Sequence, residues 1–161
     1  MLNVEGLNSF YGPAHILFDV GLDVAPGEVV ALLGRNGAGK STTFRSIAGL
    51  VPARRGRVRF GETDISRAAP YEIARLGLGY VPEDRRIFTE LTVEENLSVG
   101  RQRPRAGAPT WDPDKLYTLF PNLGEMRRRL GGRMSGGEQQ MLTIARTLMG
   151  NPSLVDRKSV V

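Results

Sequence analysis

Gly34-Arg35-Asn36-Gly37-Ala38-Gly39-Lys40-Ser41 fits the eight-residue phosphate-loop pattern, with glycine at its first and sixth positions and Lys-Ser at its end. The flanks agree with it. Glu28 to Leu33 is a nearly continuous apolar run, which predicts a strand buried on both faces of a parallel sheet. From Lys40 onward Phe44, Ile47 and Ala48 recur at helical spacing, and Gly49 is placed to end that helix in a left-handed cap. Strand, glycine loop and helix in this order suit a triphosphate, because glycines let backbone amides approach phosphate without obstruction. Lys40 is then expected to reach the β and γ phosphates and Ser41 to ligate Mg²⁺, with the amides of Gly39 to Thr42 at the positive helix end and Thr42 near the α phosphate. An ordinary glycine turn explains the glycines but not the lysine and serine that follow.

Upstream, Phe18, Val20, Leu22 and Val24 alternate with Asp19, Gly21 and Asp23, the period of a half-buried strand. Downstream, Arg54-Arg55-Gly56 reads as a turn before a strand over Arg57 to Phe60. Pro70 opens a helix that stops near Gly77, and Leu78 to Val81 returns to strand. Thr92 and Glu95 have capping-box spacing before a helix through Leu97. Residues 101–110 read as a loop; Asp112-Pro113 then supplies an N-cap and a first-turn proline ahead of Leu116 and Phe120.

Composition narrows the function classes. The chain has 161 residues, which suits one domain, and 40% hydrophobic residues, which can supply a core. Cysteine is absent and His15 is the lone histidine, so thiolate and histidine-cluster metal sites are excluded. The longest apolar run, Val29 to Leu33, is far short of the ~18 residues of a membrane-spanning helix. The N-terminus resembles no secretory leader, so a cytoplasmic protein is expected. The net charge of +5 equals the excess of eight basic over three acidic residues between Arg101 and Arg133. The remainder balances, so the basic character belongs to one solvated or partner-facing insert, and no nucleic-acid partner is expected.

A second motif separates the phosphate-loop classes. In Met134-Ser135-Gly136-Gly137-Glu138-Gln139-Gln140, Ser135 and Glu138 have capping-box spacing at the start of a helix through Leu142, Ala145, Leu148 and Met149. A simple cap accounts for Ser135 and Glu138 but not for two helix-weakening glycines between them. Open amides at such an end can meet an anion.

With Ser135-Gly136-Gly137-Glu138-Gln139 at the signature position, residues 2 to about 154 resemble the ATP-binding subunits of ABC transporters. The resemblance implies an α/β P-loop NTPase fold with a helical subdomain, ATP and Mg²⁺ as cofactors, and two subunits meeting head to tail. Each signature motif then closes over the γ phosphate held by the other's loop. Tyr11 is similar to the aromatic that stacks on adenine; the alternative for this residue is a half-buried loop ring. The run Val81-Pro82-Glu83-Asp84-Arg85-Arg86-Ile87-Phe88 occupies the Q-loop region, with Glu83 replacing the usual glutamine. A carboxylate there could still ligate Mg²⁺ or hold water, or be a plain surface acid.

This run, Leu91 to Leu97 and Met134 are together closely similar to the ATP-binding subunit of branched-chain amino acid importers. That likeness implies permease subunits as partners, a periplasmic or extracellular solute-binding protein indirectly, and a peripheral place on the cytoplasmic face of the membrane. The expected division is a nucleotide-binding core over 1–81 and 135–154, and the Q-loop region and helical subdomain over about 82–134. Beyond Leu154 the resemblance fails. The family continues with an apolar strand ending in Asp-Glu and later a switch histidine, whereas this chain reads Val155-Asp156-Arg157-Lys158-Ser159-Val160-Val161. Residues from about 155 to 161 are therefore expected to be foreign or frameshifted, the C-terminal part of the sheet to be missing, and the chain alone to be catalytically inactive. Two other classes stay open: a soluble ABC ATPase acting on nucleic acid or ribosomes, and a non-hydrolysing nucleotide-binding fragment. A guanine-reading Asn-Lys-x-Asp or Thr-Lys-x-Asp motif is absent, which weighs against a GTPase.

Overall fold

The computed structural model describes residues 1–157 and divides into two units, Met1–Leu76 and Gly77–Val161. In the first, strands β1 (Leu2–Tyr11), β2 (Ala14–Val24), β3 (Ala53–Phe60) and β4 (Thr63–Asp64) form an antiparallel sheet in the order β2-β1-β3-β4. Helix α1 (Lys40–Ile47) packs against β2, and α2 (Pro70–Leu76) completes the unit. Its core holds Val4, Leu7, Leu17, Ile47, Val58 and Ile73.

Three sequence expectations change here. Val20, Leu22 and Val24 are half-buried as the alternation requires, but Phe18 is 67% exposed. Between the pairs Leu7↔Val20 and Ser9↔Leu17, β2 advances one residue more than β1, with Asp19 left-handed at φ 47. The extra residue reverses the pleat, so Leu17 rather than Phe18 turns into the core.

The Arg54-Arg55-Gly56 turn does not form either. These residues lie inside β3, where Gly56 has φ 96 and a Cβ would stand 2.3 Å from the Gly6 carbonyl oxygen. What reads as turn chemistry is a close approach of two strands at a register shift.

The third correction concerns the strand expected before the glycine loop. Glu28 to Leu33 joins no strand among the described residues, and Val29 and Leu33 are 94% and 91% exposed. An apolar run becomes a strand only where a neighbour supplies the hydrogen-bond ladder. The sheet is incomplete at this point, as the resemblance implied.

In the second unit β5 (Leu78–Val81) pairs in parallel with β6 (Leu154–Arg157). Val155, Asp156 and Arg157 continue this strand beyond Leu154. Helices α3 (Val93–Gly100), α4 (Pro113–Leu119), α5 (Pro121–Glu125) and α6 (Gly136–Leu148) enclose a core of Val93, Leu97, Leu116, Leu123, Leu142 and Met149. The predicted caps form. Thr92 and Glu95 make both halves of a capping box, and Asp112 accepts from the Lys115 amide at 2.9 Å beside Pro113. Residues 101–110 lack regular structure, but Arg105 is no solvated charge. Its guanidinium donates to the carbonyls of Gly150 at 2.5 Å and Asn151 at 2.8 Å, tying the loop to the end of α6.

Candidate functional site

The glycine loop enters α1 without any side-chain cap, and its N-cap residue is Gly39 in the left-handed region at φ 87. A serine or aspartate there would use its own oxygen on the first-turn amides; glycine leaves them open. No acidic side chain stands in the first turn to compete with an anion. Lys40 Nζ folds back over the loop, donating to the carbonyls of Gly34 at 2.6 Å and Arg35 at 3.0 Å. An ammonium has three hydrogens, so one stays available to a phosphate oxygen. Ser41 is half-buried and its hydroxyl makes no hydrogen bond among the described residues, which suits a metal-directed oxygen. Gly34, Asn36, Gly37 and Ala38 are exposed along the rim, while Thr42 is buried at the base.

Beneath the loop, Ser46 Oγ and Ser9 Oγ are 2.8 Å apart in a buried contact that joins α1 to β1, and Thr43 Oγ1 donates to the Gly39 carbonyl at 3.1 Å. Tyr11 ends β1 with 44% exposure. His15 belongs elsewhere: its ring stacks on Phe10 at 4.1 Å and its Nε2 bonds Asn8 Oδ1 at 2.8 Å.

In the second unit the signature residues form a complete capping box on α6. The Ser135 hydroxyl accepts from the Glu138 amide at 3.4 Å, and a Glu138 carboxylate oxygen accepts from the Ser135 amide at 2.6 Å. Those bonds hold the Glu138 pKa below its ordinary value, with Arg129 adding at 3.8 Å. Gln139 donates to the Gly131 carbonyl at 3.2 Å. The two glycines differ. A Cβ on Gly136 would meet the Arg85 guanidinium at 2.8 Å, whereas one on Gly137 would have nothing within 4 Å. Gly137 is thus the open position at this helix end. Glu83 lies exposed in the turn after β5.

Sequence reasoning missed two positioning side chains. Asn96 is fully buried; its Oδ1 accepts from the Phe88 amide at 2.9 Å, and its Nδ2 reaches the carbonyls of Phe88, Leu91 and Thr92. An asparagine on the apolar face of a helix, next to Leu97, was the available signal. Leu17 supports Gly39 from below, visible only once the β2 bulge is known.

The sequence profile described as ABC transporter matches residues 17–155. The high-affinity branched-chain amino acid transport ATP-binding protein BraG of Pseudomonas aeruginosa is 41% identical over 96% of this chain and 66% of its own length. The probable branched-chain amino acid transport ATP-binding protein LivF of Archaeoglobus fulgidus is 37% identical over 92% of this chain and 63% of its own. The lipopolysaccharide export system ATP-binding protein LptB of Haemophilus influenzae is also 37% identical, over 96% and 65%. The chain thus spans less than two thirds of the length of these curated relatives. Among solved structures, a nucleotide-free ATP-binding cassette from an ABC transporter superposes with a TM-score of 0.77 at 29% identity, over 96% of this chain and 67% of that one. Because the matched residues take in both the glycine loop and the capped helix at Ser135, the chain belongs to the ABC transporter family, among its ATP-binding subunits.

Proposed function

We propose that this chain is the larger part of an ATP-binding subunit that couples ATP hydrolysis to import of branched-chain amino acids through membrane permease subunits. The observation that carries the nucleotide reading is the uncapped loop, with Lys40 Nζ held over it by the Gly34 and Arg35 carbonyls. Gly34, Asn36, Gly37, Ala38, Gly39, Lys40 and Thr42 would hold the phosphates of ATP, Ser41 would offer oxygen to Mg²⁺, and Tyr11 would stack on the base. The metal supplies charge neutralisation to the phosphates when bound. Ser135, Gly136, Gly137, Glu138 and Gln139 would face nucleotide held by a second ATP-binding subunit, with Gly137 giving the unobstructed approach.

The solute assignment is supported by the 41% identity to BraG and by the Val81–Leu97 run; the similarity to LptB names the competing cargo. A solute-binding protein would act indirectly, by delivering cargo to the permease. The peripheral cytoplasmic-face location follows from that partnership, and no helix among the described residues is long and apolar enough to cross a membrane. The nucleic-acid alternative has lost ground, since Arg105 is tied to backbone, Arg127 lies over Tyr117 at 4.1 Å and Arg129 faces Glu138.

Residues from about Val155 onward we take as foreign to the family. The profile match stops at 155, and both Asp156 carboxylate oxygens are buried without a hydrogen-bond partner among the described residues. Sequencing through Leu154 in the source DNA tests this: an uninterrupted genomic read of Val155 to Val161 refutes it. For the function, the full-length subunit should be reconstituted with its permease in vesicles containing MgATP. Uptake of labelled leucine that ceases in Lys40→Ala supports the reading, and ATP-dependent lipopolysaccharide release without leucine uptake overturns the solute.

A further inference from the structure

Directly after Glu83 and Asp84, two consecutive non-glycine residues hold left-handed backbone conformations, Arg85 at φ 60 and Arg86 at φ 40. Such conformations are sterically unfavourable for L-residues and persist only where the surroundings fix them. Helix α6 does so here. Thr143, fully buried, places its hydroxyl between the carbonyls of Arg85 and Gln139. Arg146 Nη2 donates to the Arg86 carbonyl at 2.5 Å, and its guanidinium lies 5.0 Å over the Phe88 ring. Gly136, Thr143 and Arg146 stand seven and three residues apart, on one stripe of the helix. At the start of that stripe the Arg85 guanidinium covers Gly136. Arg85 therefore touches the first turn of α6 through its side chain and the third through its carbonyl.

We propose that the Arg85-Arg86 turn is a latch that makes the Glu83 segment and the signature end of α6 move as one body, with Thr143 and Arg146 as its positioning residues. The Thr143 hydroxyl is the joint, because one hydrogen serves a carbonyl of the turn and a carbonyl of the signature motif. A displacement of the turn must either carry the helix end with it or take the Arg85 carbonyl away from the Thr143 hydroxyl. The functional half of the proposal rests on the reading of Ser135 to Gln139 as a nucleotide-facing motif; the mechanical half does not.

The test has two arms. In hydrogen exchange on the 161-residue chain, Thr143→Val, which exchanges the hydroxyl for a methyl, should speed the amides of both 84–88 and 137–140 by roughly tenfold. The amides of 43–47 should not change, Thr143→Ser should restore wild-type rates, and Arg146→Lys should show the same paired increase. Acceleration of one segment alone, no acceleration, or failure of serine to rescue overturns the latch. In the full-length subunit with its permease, Thr143→Val should lower kcat roughly tenfold with KM for MgATP held within about twofold, and serine should again rescue. An unchanged kcat in a variant whose exchange has risen overturns the coupling. A wild-type subunit without MgATP turnover overturns the functional reading and with it the coupling, while the exchange arm still decides the latch.

Discussion

Gly37 and Gly39 share one backbone angle, φ 87, and differ in what surrounds them. A Cβ on Gly37 would have nothing within 4 Å, whereas one on Gly39 would stand 2.7 Å from Leu17 Cδ2. Forcing alanine into the left-handed region costs about 1–2 kcal/mol at either position. Gly39→Ala adds a steric cost, because Leu17 is 2% exposed and has no solvent to swing into. Overfilling a packed core typically costs about 1–3 kcal/mol. The expected losses are therefore ~1–2 kcal/mol for Gly37→Ala and ~2–5 kcal/mol for Gly39→Ala. Urea unfolding of both variants reads the difference as a shift in midpoint at constant m. A double-mutant cycle with Leu17→Ala isolates the contact, since a smaller side chain opposite makes room for the new methyl and should return roughly 1–3 kcal/mol as coupling. Equal losses at the two glycines, or additivity in the cycle, would refute the claim that Leu17 dictates glycine at position 39.

Lys40→Ala should weaken MgATP binding by about 10- to 100-fold, the loss of a charged hydrogen bond to phosphate; equal affinity by calorimetry sinks the loop assignment. In the full-length subunit, Gly137→Asp should leave nucleotide binding at its own loop intact but abolish ATP-driven dimers in sedimentation, because a carboxylate would fill the open position; wild-type dimerisation counts against the trans role. Glu95 and Glu138 both lie below their ordinary value of 4.5 through bonds from Thr92 and Ser135, so the caps are at full strength above that value and fail as pH falls through the lower folded pKa. Helical circular dichroism should accordingly drop below about pH 4.5, less so in a Glu95→Gln, Glu138→Gln double variant; an identical acid profile argues against the capping account. Burial raises Asp156 from 3.8 to about 7, so its penalty is absent at low pH and grows as pH climbs through that window. Asp156→Asn should stabilise the chain at pH 8 by up to a few kcal/mol and hardly at all at pH 4, and a pH-independent effect in urea titrations would show that desolvated charge is not the cause.

Much of the candidate site was legible because its signals are local. The loop pattern, the two capping boxes, the Asp112-Pro113 start and the Gly49 end each depend on neighbours within a turn or two, and each appears where the residues place it. What the sequence hid was register. The bulge at Asp19 and the close approach of Gly56 to Gly6 depend on how two strands slide past one another, which no single strand encodes. The same holds for the Arg85-Arg86 turn, whose left-handed residues read as ordinary surface arginines until Thr143 and Arg146 are placed beside them.

The failure at Glu28 to Leu33 has a different origin. Its pattern asks for burial on both faces, and in the structure Val29 and Leu33 stand almost fully in solvent. Burying two such side chains is worth roughly 1.5–3 kcal/mol each, a gain the described residues forgo. The other two departures in the first unit, at Phe18 and at Arg54 to Gly56, are matters of register, whereas this one is a missing neighbour rather than a misreading of period. A sequence pattern specifies what a segment needs from its neighbours, and here the neighbour that would satisfy it is not among the described residues. The segment leads straight into Gly34, so the anchorage of the loop's entry depends on that ladder, while its exit is secured independently by Leu17, Ser9 and Ser46 beneath α1.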